Sequence, residues 1–138
     1  MTDLMQRTVV LNEIPNAQTA FVIPGRRLCG WGPVETTSLS KSVKLGEHVV
    51  WLFNPSRNLT SSELLDEYAK RGYTPTHPYI LAELNRKDAI FSNDVPNATV
   101  WSNENYAIFD CWSDGPRTTV CIHSHPWDQW WWFAGTAL

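Results

Sequence analysis

The sequence predicts an α+β domain in which a two-helix pair, at about residues 60–71 and 77–86, packs on one face of an antiparallel or mixed β-sheet. Two observations support this class. Short runs of β-branched and aromatic residues, separated by Pro, Gly and Asn, occur in the first and last thirds of the chain. A segment with helical start and stop signals lies between them. The length of 138 residues fits a single domain, residues 1–138, with one sizeable core.

Four runs in the first half of the chain predict strands: residues 8–11, 19–23, 41–45 and 48–53. The fourth run is nearly continuous and apolar from His48 to Phe53, and Asn54-Pro55 ends it. Such a run is typical of a central strand that is buried on both faces. The other three runs are shorter, and Pro or Gly limits them.

The first helix has a well-defined start at Thr60. The Thr60 hydroxyl can accept a hydrogen bond from the backbone N–H of Glu63, whose carboxylate can bond back to the N–H of Thr60. Leu59 and Leu64 are spaced to close a hydrophobic contact over this first turn. Gly72 follows the last helical residue and suits a left-handed C-cap. The sequence therefore predicts a helix that ends just before Gly72.

A second helix is predicted shortly after the first, with Thr76 as its cap and Pro78 in its first turn, where proline is tolerated. Two helices joined by a short turn also suggest a DNA-binding helix-turn-helix. The only cations of this second helix, Arg86 and Lys87, stand at its far end, whereas base-reading side chains usually stand near the start. The pattern therefore favours a structural helix pair.

Composition limits the classes of partner. The net charge is −3, the pI is about 5.7, and no run of Lys or Arg marks a phosphate-binding surface, so no nucleic acid partner is expected. No apolar run approaches the roughly 18 residues of a membrane helix, and the start of the chain lacks a signal-peptide core, so no membrane is expected. Three cysteines, an odd number, suit free thiols in a reducing compartment. We therefore expect a cytoplasmic protein.

Aromatic residues and potential metal ligands concentrate in residues 106–133. This stretch holds five of the eight tryptophans, two of the three cysteines and two of the four histidines. Residues 106–113 and 118–125 predict the two strands of a hairpin. Several registers are compatible with the sequence, and one natural register, with a three-residue loop, sets Cys111 opposite Cys121.

In that register one face of the hairpin carries Cys111, Cys121, His123 and His125, which are chemically suited to a tetrahedral zinc site. Residues i, i+2 and i+4 of an extended strand span roughly 13 Å, so they reach one ion only if Pro126 folds the chain back. A zinc-binding module or metal-dependent enzyme that uses Cys121, His123 and His125 is therefore the alternative hypothesis. The leading hypothesis contains no cofactor, because buried thiols beside exposed histidines are the commoner arrangement.

The end of the chain predicts a last strand with an aromatic surface. In a strand Trp130 and Trp132 would share one face and Trp131 would lie on the other, so both faces would need cover or a partner. Trp31, between two glycines in a loop, is a further candidate for display. The candidate binding residues are Trp127, Trp130, Trp131, Trp132 and Trp31.

These observations favour a non-catalytic protein that binds another protein through an aromatic C-terminal surface. The sequence contains no nucleophile elbow, P-loop or paired-carboxylate motif, and we assign no catalytic residue. An inhibitor that blocks a larger host or rival protein fits the small size and the acidic charge. A homodimer and a sugar-binding module with tryptophan platforms are further hypotheses.

The run LTSSELLDE at residues 59–67, the segment RGYTP at residues 71–75, the loop at Val95-Pro96 and the Trp-rich end form a recognisable set. Together they resemble an uncharacterised family of small proteins from uncultivated bacteria and phages. In that family a strand leads into a helix of this type, and a terminal hairpin contains Trp. The resemblance covers roughly residues 43–138 and implies a protein encoded by a phage or mobile element. It implies no transferable activity, and the triple Trp and the His-x-His sequence are departures from it.

Overall fold

The computed structural model describes residues 3–30, 37–101, 105–121 and 126–138. Within these ranges the chain forms an eight-stranded sheet and four helices, so the predicted α+β class with a mixed sheet is confirmed. None of the described helices has the length and apolar composition that crossing a membrane requires. The elements are β1 (Leu4–Leu11), β2 (Arg27–Cys29), α1 (Thr37–Ser42), β3 (Gly46–Phe53), α2 (Ser61–Arg71), β4 (Tyr73–Pro75), α3 (Pro78–Lys87), α4 (Phe91–Asp94), β5 (Asn97–Trp101), β6 (Asn105–Trp112), β7 (Gly115–Cys121) and β8 (Trp132–Ala137).

The strands follow the order β1-β3-β8-β5-β6-β7-β2, and β4 also pairs with β8. The β5–β8 and β2–β7 pairs are parallel, and the other described pairs are antiparallel. The last strand of the chain thus joins β3, β4 and β5. This position makes residues 132–137 the centre of the sheet and places the segment before them beside the start of β5.

Both faces of the sheet are buried, as the alternation along β6 shows. Ala107 and Phe109 belong to one hydrophobic cluster, which we call the first core. Tyr106 and Ile108 belong to a separate cluster, which we call the second core. Successive strand residues point to opposite faces, so the two cores lie on the two sides of the sheet.

The two predicted helices exist, but they do not pack on one face of the sheet. Leu64 and Tyr68 of α2 contribute to the second core, whereas Ile80 and Leu81 of α3 contribute to the first. The segment between the helices, predicted as a turn, is strand β4, and Tyr73 pairs with Ala137 of β8. Because β4 lies within the sheet layer, the chain passes from one face to the other between the helices.

The predicted cap of α2 is confirmed. The N–H of Glu63 donates to the Thr60 hydroxyl at 3.2 Å, and the Glu63 carboxylate accepts from the N–H of Thr60 at 2.9 Å. Gly72 ends the helix with φ of 74°. For α3 the cap is His77 rather than Thr76, because Nδ1 of His77 accepts from the N–H of Tyr79 at 3.0 Å.

Two of the four strands predicted in the first half are confirmed, since residues 8–11 lie in β1 and residues 48–53 in β3. Residues 19–23 instead form turns, in which the N–H of Val22 donates to the carbonyl of Thr19 at 3.0 Å. Of the predicted strand at residues 41–45, residues 41 and 42 belong to α1 and residues 43–45 form no strand. In both segments apolar residues are buried without joining the sheet, a case that a short apolar run cannot distinguish from a strand.

The C-terminal hairpin has another register than the one considered from the sequence. Cys111 pairs with Pro116, and Cys121 pairs with Tyr106, so the loop lies at residues 113–114. Gly115 has φ of 120°, a conformation that favours glycine and permits this tight connection. The shift separates the two thiols, because residues 111 and 121 now lie on opposite faces of the sheet.

Candidate functional site

The segment before β8 is a turn rather than a continuation of the strand. Trp127 and Leu59 exchange two backbone hydrogen bonds, of 2.7 and 3.1 Å, which fix the start of the segment. The N–H of Trp130 then donates to Oδ1 of Asp128 at 3.1 Å, an arrangement typical of an Asx-turn. The sequence predicted a strand here because the run of aromatic residues hides this turn signal.

Two of the predicted surface tryptophans are core residues. The Trp127 side chain is 2% exposed, and its ring makes edge-to-face contacts with the rings of Tyr106, Trp131 and Phe133, with centroids 5.2–5.6 Å apart. Trp131 is 9% exposed and belongs to the same second core. Such contacts contribute beyond simple burial. Both rings therefore hold the turn against the sheet instead of forming a surface.

Trp130 and Trp132 also differ from the prediction, because only Trp132 lies in β8. Trp132 is partly buried against the first core. Trp130 is 66% exposed, and it is the only one of the four tryptophans at residues 127–132 whose side chain is mainly in contact with solvent. Trp31, His123 and His125 lie outside the described residues.

A recess of about 240 Å³ lies next to Trp130. It forms because β5 begins at Asn97, opposite Phe109, whereas β6 continues to Trp112. The end of β6 therefore has no neighbour on that side from β5, and α4 and the turn before β8 border the gap. The lining residues are Ser92, Asn93, Pro96, Asp110, Cys111, Asp128, Trp130 and Trp131.

Asp110 is the most unusual polar group of the recess. Its Oδ2 accepts a hydrogen bond from Nε1 of Trp112 at 3.0 Å. Its Oδ1 is buried, and no described residue donates a hydrogen bond to it. Burial raises the pKa of Asp110, while the bond from Trp112 and the positive charges of Arg26 and Arg117 act in the opposite direction. Asp110 thus lines the recess and has one carboxyl oxygen that accepts no hydrogen bond from the described residues.

The neighbouring Trp112 is exposed, at 55%, but it is held in place. The guanidinium of Arg117 lies 4.4 Å from the centroid of its ring, a cation–π contact. Arg117 in turn donates to Asp114 at 3.1 Å, and this bond lowers the pKa of that carboxyl. Internal partners therefore engage both the indole N–H and one ring face of Trp112, whereas Trp130 has a largely free ring.

The two described C-terminal cysteines have different surroundings. Cys111 is exposed and lines the recess. Cys121 is partly buried next to Tyr106, and burial, with the Cys121 thiol as a lesser cause, raises the pKa of Tyr106 to about 12. The described ranges contain no group of three or more His, Cys, Asp or Glu residues that could hold a metal ion. The zinc hypothesis depends on His123 and His125, so it stays a prediction.

The sequence singled out Trp130 but not the polar residues beside it. A signal for Asp110 was available, because it interrupts an otherwise apolar strand face between Ile108 and Trp112. Asp128 and Ser92 gave no comparable signal, since their positions at the recess depend on which segments meet at the start of β5.

Comparison of the chain with protein-family models, with curated proteins and with solved structures finds no match. The resemblance to a family of small bacterial and phage proteins therefore stays a prediction. The function has to be argued from the residues of the recess and from the surfaces of the sheet.

Proposed function

We propose that the protein is a non-catalytic interaction protein that binds another protein through the recess beside Trp130. The observation that supports this proposal is the 66% exposure of Trp130 on a turn anchored by buried Trp127 and Trp131. An exposed indole on a rigid base loses little conformational entropy on binding, and tryptophan is enriched among the residues that dominate interface energies.

The recess favours a basic side chain from the partner. Oδ1 of Asp110 is buried without a donor from the described residues, and a buried acceptor gains stability when a donor reaches it. Asp128 adds a second carboxylate at the rim. A lysine or arginine side chain would interact with the carboxylates of Asp110 and Asp128 and could also lie over the ring of Trp130.

Nearby cations limit the electrostatic contribution. Arg26 donates to the backbone carbonyl of Asp110 at 3.0 Å, and Arg117 also lies close enough to affect that carboxyl. We therefore expect stacking on Trp130 and one or two short hydrogen bonds to provide most of the affinity. Binding should weaken only modestly with added salt, because long-range attraction between unlike charges is a minor part of it.

The small size and the acidic charge of −3 also support the proposal that binding inhibits the partner, as expected of a protein encoded by a phage or mobile element. A chain of this size can cover a functional surface of a larger protein with one standard interface. A partner whose activity is unchanged when it is saturated would contradict this part of the proposal and leave the binding role intact.

A displayed library of random peptides tests the binding role. Peptides selected on the wild-type protein should contain Lys or Arg and should bind a Trp130→Ala variant about 30-fold more weakly, the loss of a typical hot-spot residue. Fluorescence anisotropy of labelled peptides measures both affinities. Circular dichroism spectra should show that the variant keeps its fold.

Leu45→Ala is the matched control. Leu45 is 55% exposed and immediately precedes β3, whereas Asn54, just past the other end of β3, donates to the carbonyl of Gln129 at 3.2 Å. An eight-residue strand, about 27 Å long, therefore separates the control from the recess. Selected peptides should bind this variant normally. Peptides that bind the Trp130 variant as well as the wild type would contradict the proposal.

A further inference from the structure

Strand β1 forms one edge of the sheet and pairs with β3 along its whole length, from Leu4 with Phe53 to Leu11 with Gly46. The N–H of Asn54 donates to the carbonyl of Asp3 at 2.9 Å, and this bond sets the parity of the ladder. In an antiparallel pair the backbone groups of alternate residues face the neighbour. The odd-numbered residues of β1 therefore face β3. The residues whose backbone groups face away from β3 are Leu4, Gln6, Thr8 and Val10.

This outer row of backbone groups is mostly free. The carbonyl of Val10 accepts from Nζ of Lys87 at 3.4 Å, and the carbonyl of Gln6 accepts from the guanidinium of the adjacent Arg7 at 2.9 Å. In the described part of the chain no other hydrogen bond reaches the row. Both existing bonds come from the ends of long side chains, and each carbonyl oxygen has a second lone pair that a strand partner can use.

The edge has only one of the features that usually prevent strands from pairing with other chains, the charge of Arg7. The other features are short length, Pro, a bulge or a lysine on the edge strand. β1 has eight residues, LMQRTVVL, and its register with β3 runs without a bulge. The opposite edge, β2, has three residues. β1 is therefore the longer of the two terminal strands and the one open to strand addition.

We propose that β1 pairs antiparallel with β1 of a second copy of the chain, about a two-fold axis at Thr8. A two-fold axis sets each outward residue against another outward residue, so the free donors and acceptors are self-complementary. The structure of a single copy thus presents every backbone group that this pairing needs. The proposal is independent of the Trp130 recess.

The charge of Arg7 selects the register. An axis at Arg7 would place two guanidinium groups directly opposite each other, and like charges opposite each other are unfavourable. An axis at Thr8 sets Arg7 against Val9 and pairs residues 5–11, the same number of residues as the axis at Arg7. An axis at Gln6 also separates the charges, but it pairs only residues 4–8. The Thr8 axis is therefore the longest pairing without opposed charges.

The adjoining sheet face provides side-chain contacts for the same arrangement. Thr8 pairs with Val49, so Thr8, Val10 and Val49 project from one face of the sheet, and Val10 and Val49 are 39% and 37% exposed. Pairing at Thr8 sets Thr8 against Thr8 and Val10 against Gln6 of the second copy. The exposed β-branched residues of both copies then form one continuous surface across the axis, as cross-strand pairs do within a sheet.

Sedimentation velocity of the full chain across a concentration series tests the proposal. The wild-type protein should associate from the 15.8 kDa monomer to a species of about twice that mass. Thr8→Lys should shift the protein to monomer, because the substitution places two ammonium groups opposite each other at the axis. Thr74→Lys is the matched control, since Thr74 is also an exposed strand threonine, in β4, and this variant should dimerise like the wild type.

A cross-link gives a second readout if Thr8→Lys fails to fold. Opposed residues of an antiparallel pair have Cα atoms about 4.5–5.5 Å apart, within the range of a disulfide. Thr8→Cys should therefore form a disulfide between the two substituted positions on mild oxidation, identified by peptide mass spectrometry, and Thr74→Cys should not. A wild-type protein that stays monomeric, or a dimer that Thr8→Lys leaves intact and Thr8→Cys does not link, would overturn the proposal. A monomer whose β1 accepts only a foreign strand would overturn it as well.

Discussion

The carboxamides of Asn85 and Asn97 form a reciprocal hydrogen-bonded pair in the interior. Nδ2 of Asn85 lies 2.8 Å from Oδ1 of Asn97, and Nδ2 of Asn97 lies 3.2 Å from Oδ1 of Asn85. Each amide also donates to a backbone carbonyl, that of Leu81 or that of Val95, at 2.9 Å. With exposures of 1% and 0%, the two residues fix α3 to the start of β5, the point at which the recess begins.

Each single alanine substitution in this pair should lower the free energy of unfolding by more than half of the loss in the double variant. Asn85→Ala leaves Oδ1 of Asn97 and one of its two amide N–H bonds without a partner, which costs roughly 1–3 kcal/mol. The double Ala variant should lose less than the sum of the two single variants, because neither orphaned amide remains. Urea unfolding with unchanged slopes measures the three free energies. Asn93→Ala, at an exposed position in α4, is the control, and strict additivity would contradict the prediction.

The local part of the fold could be predicted from the sequence, because its signals act over a few residues. Thr60, Glu63 and Gly72 specify the ends of α2 through their own hydrogen bonds and backbone conformation. The apolar run of residues 48–53 also predicted a strand correctly, but the expected burial on both faces holds only near its end, since Val49 is exposed.

The long-range pairings could not be predicted, and they decide the architecture. Nothing near Tyr73–Pro75 shows that β8 provides a neighbour, so the segment resembled a turn and the helices were expected on one face. Pro116 lies in the three-residue loop of the register that was considered from the sequence. It is tolerated in β7 because the outer neighbour, β2, pairs only with residues 117–119.

The same limitation explains the candidate site. A run of consecutive tryptophans indicates an aromatic surface, but whether each ring is buried depends on a single turn at Asp128. That turn directs Trp131 into the second core and leaves Trp130 outside. Asp110 borders the recess only because β5 begins opposite Phe109 and therefore does not pair with Asp110.

Trp127→Ala should mainly reduce stability, whereas Trp130→Ala should mainly reduce binding. Trp127→Ala removes a fully buried ring and should cost about 3–5 kcal/mol, whereas Trp130→Ala should change the free energy of unfolding by no more than about 0.5 kcal/mol. Thermal and urea unfolding measure the difference. In a Trp130→Phe variant, acrylamide should quench a smaller fraction of the tryptophan fluorescence, because a solvent-accessible indole is lost. A large loss of stability in the Trp130 variant would show that its ring is a structural element.

His77 should make stability depend on pH. Nε2 of the ring lies 2.9 Å from the carbonyl of Leu39 and Nδ1 accepts from the N–H of Tyr79, so the neutral ring donates at Nε2 and caps α3 through Nδ1. Burial lowers the pKa of His77, with a smaller contribution from the charge of His48. The folded state therefore binds fewer protons than the unfolded state, whose pKa is about 6.5. Stability should decrease as pH falls from about 6.5 through the lower pKa of the folded state.

The matched variant for this effect is His77→Asn, which retains an acceptor for the cap without a titrating ring. Urea unfolding at several pH values should show a weaker dependence on pH below about 6.5 in this variant than in the wild type. His48→Gln, which keeps the His77 ring, should retain most of the dependence. If the free energy of unfolding depends on pH equally in the wild type and the His77 variant, other groups, such as the carboxylates, determine the loss of stability in acid.

Gly135 should not tolerate a side chain, because β8 passes close to Tyr73 at this residue. A Cβ at position 135 would lie 2.9 Å from Cβ and 3.0 Å from Cδ2 of Tyr73. The Tyr73 ring cannot move away freely, since it stacks on Trp51 with the ring planes 10° apart. Gly135→Ala should therefore cost about 1–3 kcal/mol through overpacking. Tyr73→Gly, which removes the Cβ, Cγ and Cδ2 atoms of these contacts, should remove most of that penalty in a double-mutant cycle measured by urea unfolding, and an equal cost of Gly135→Ala in both backgrounds would contradict this explanation.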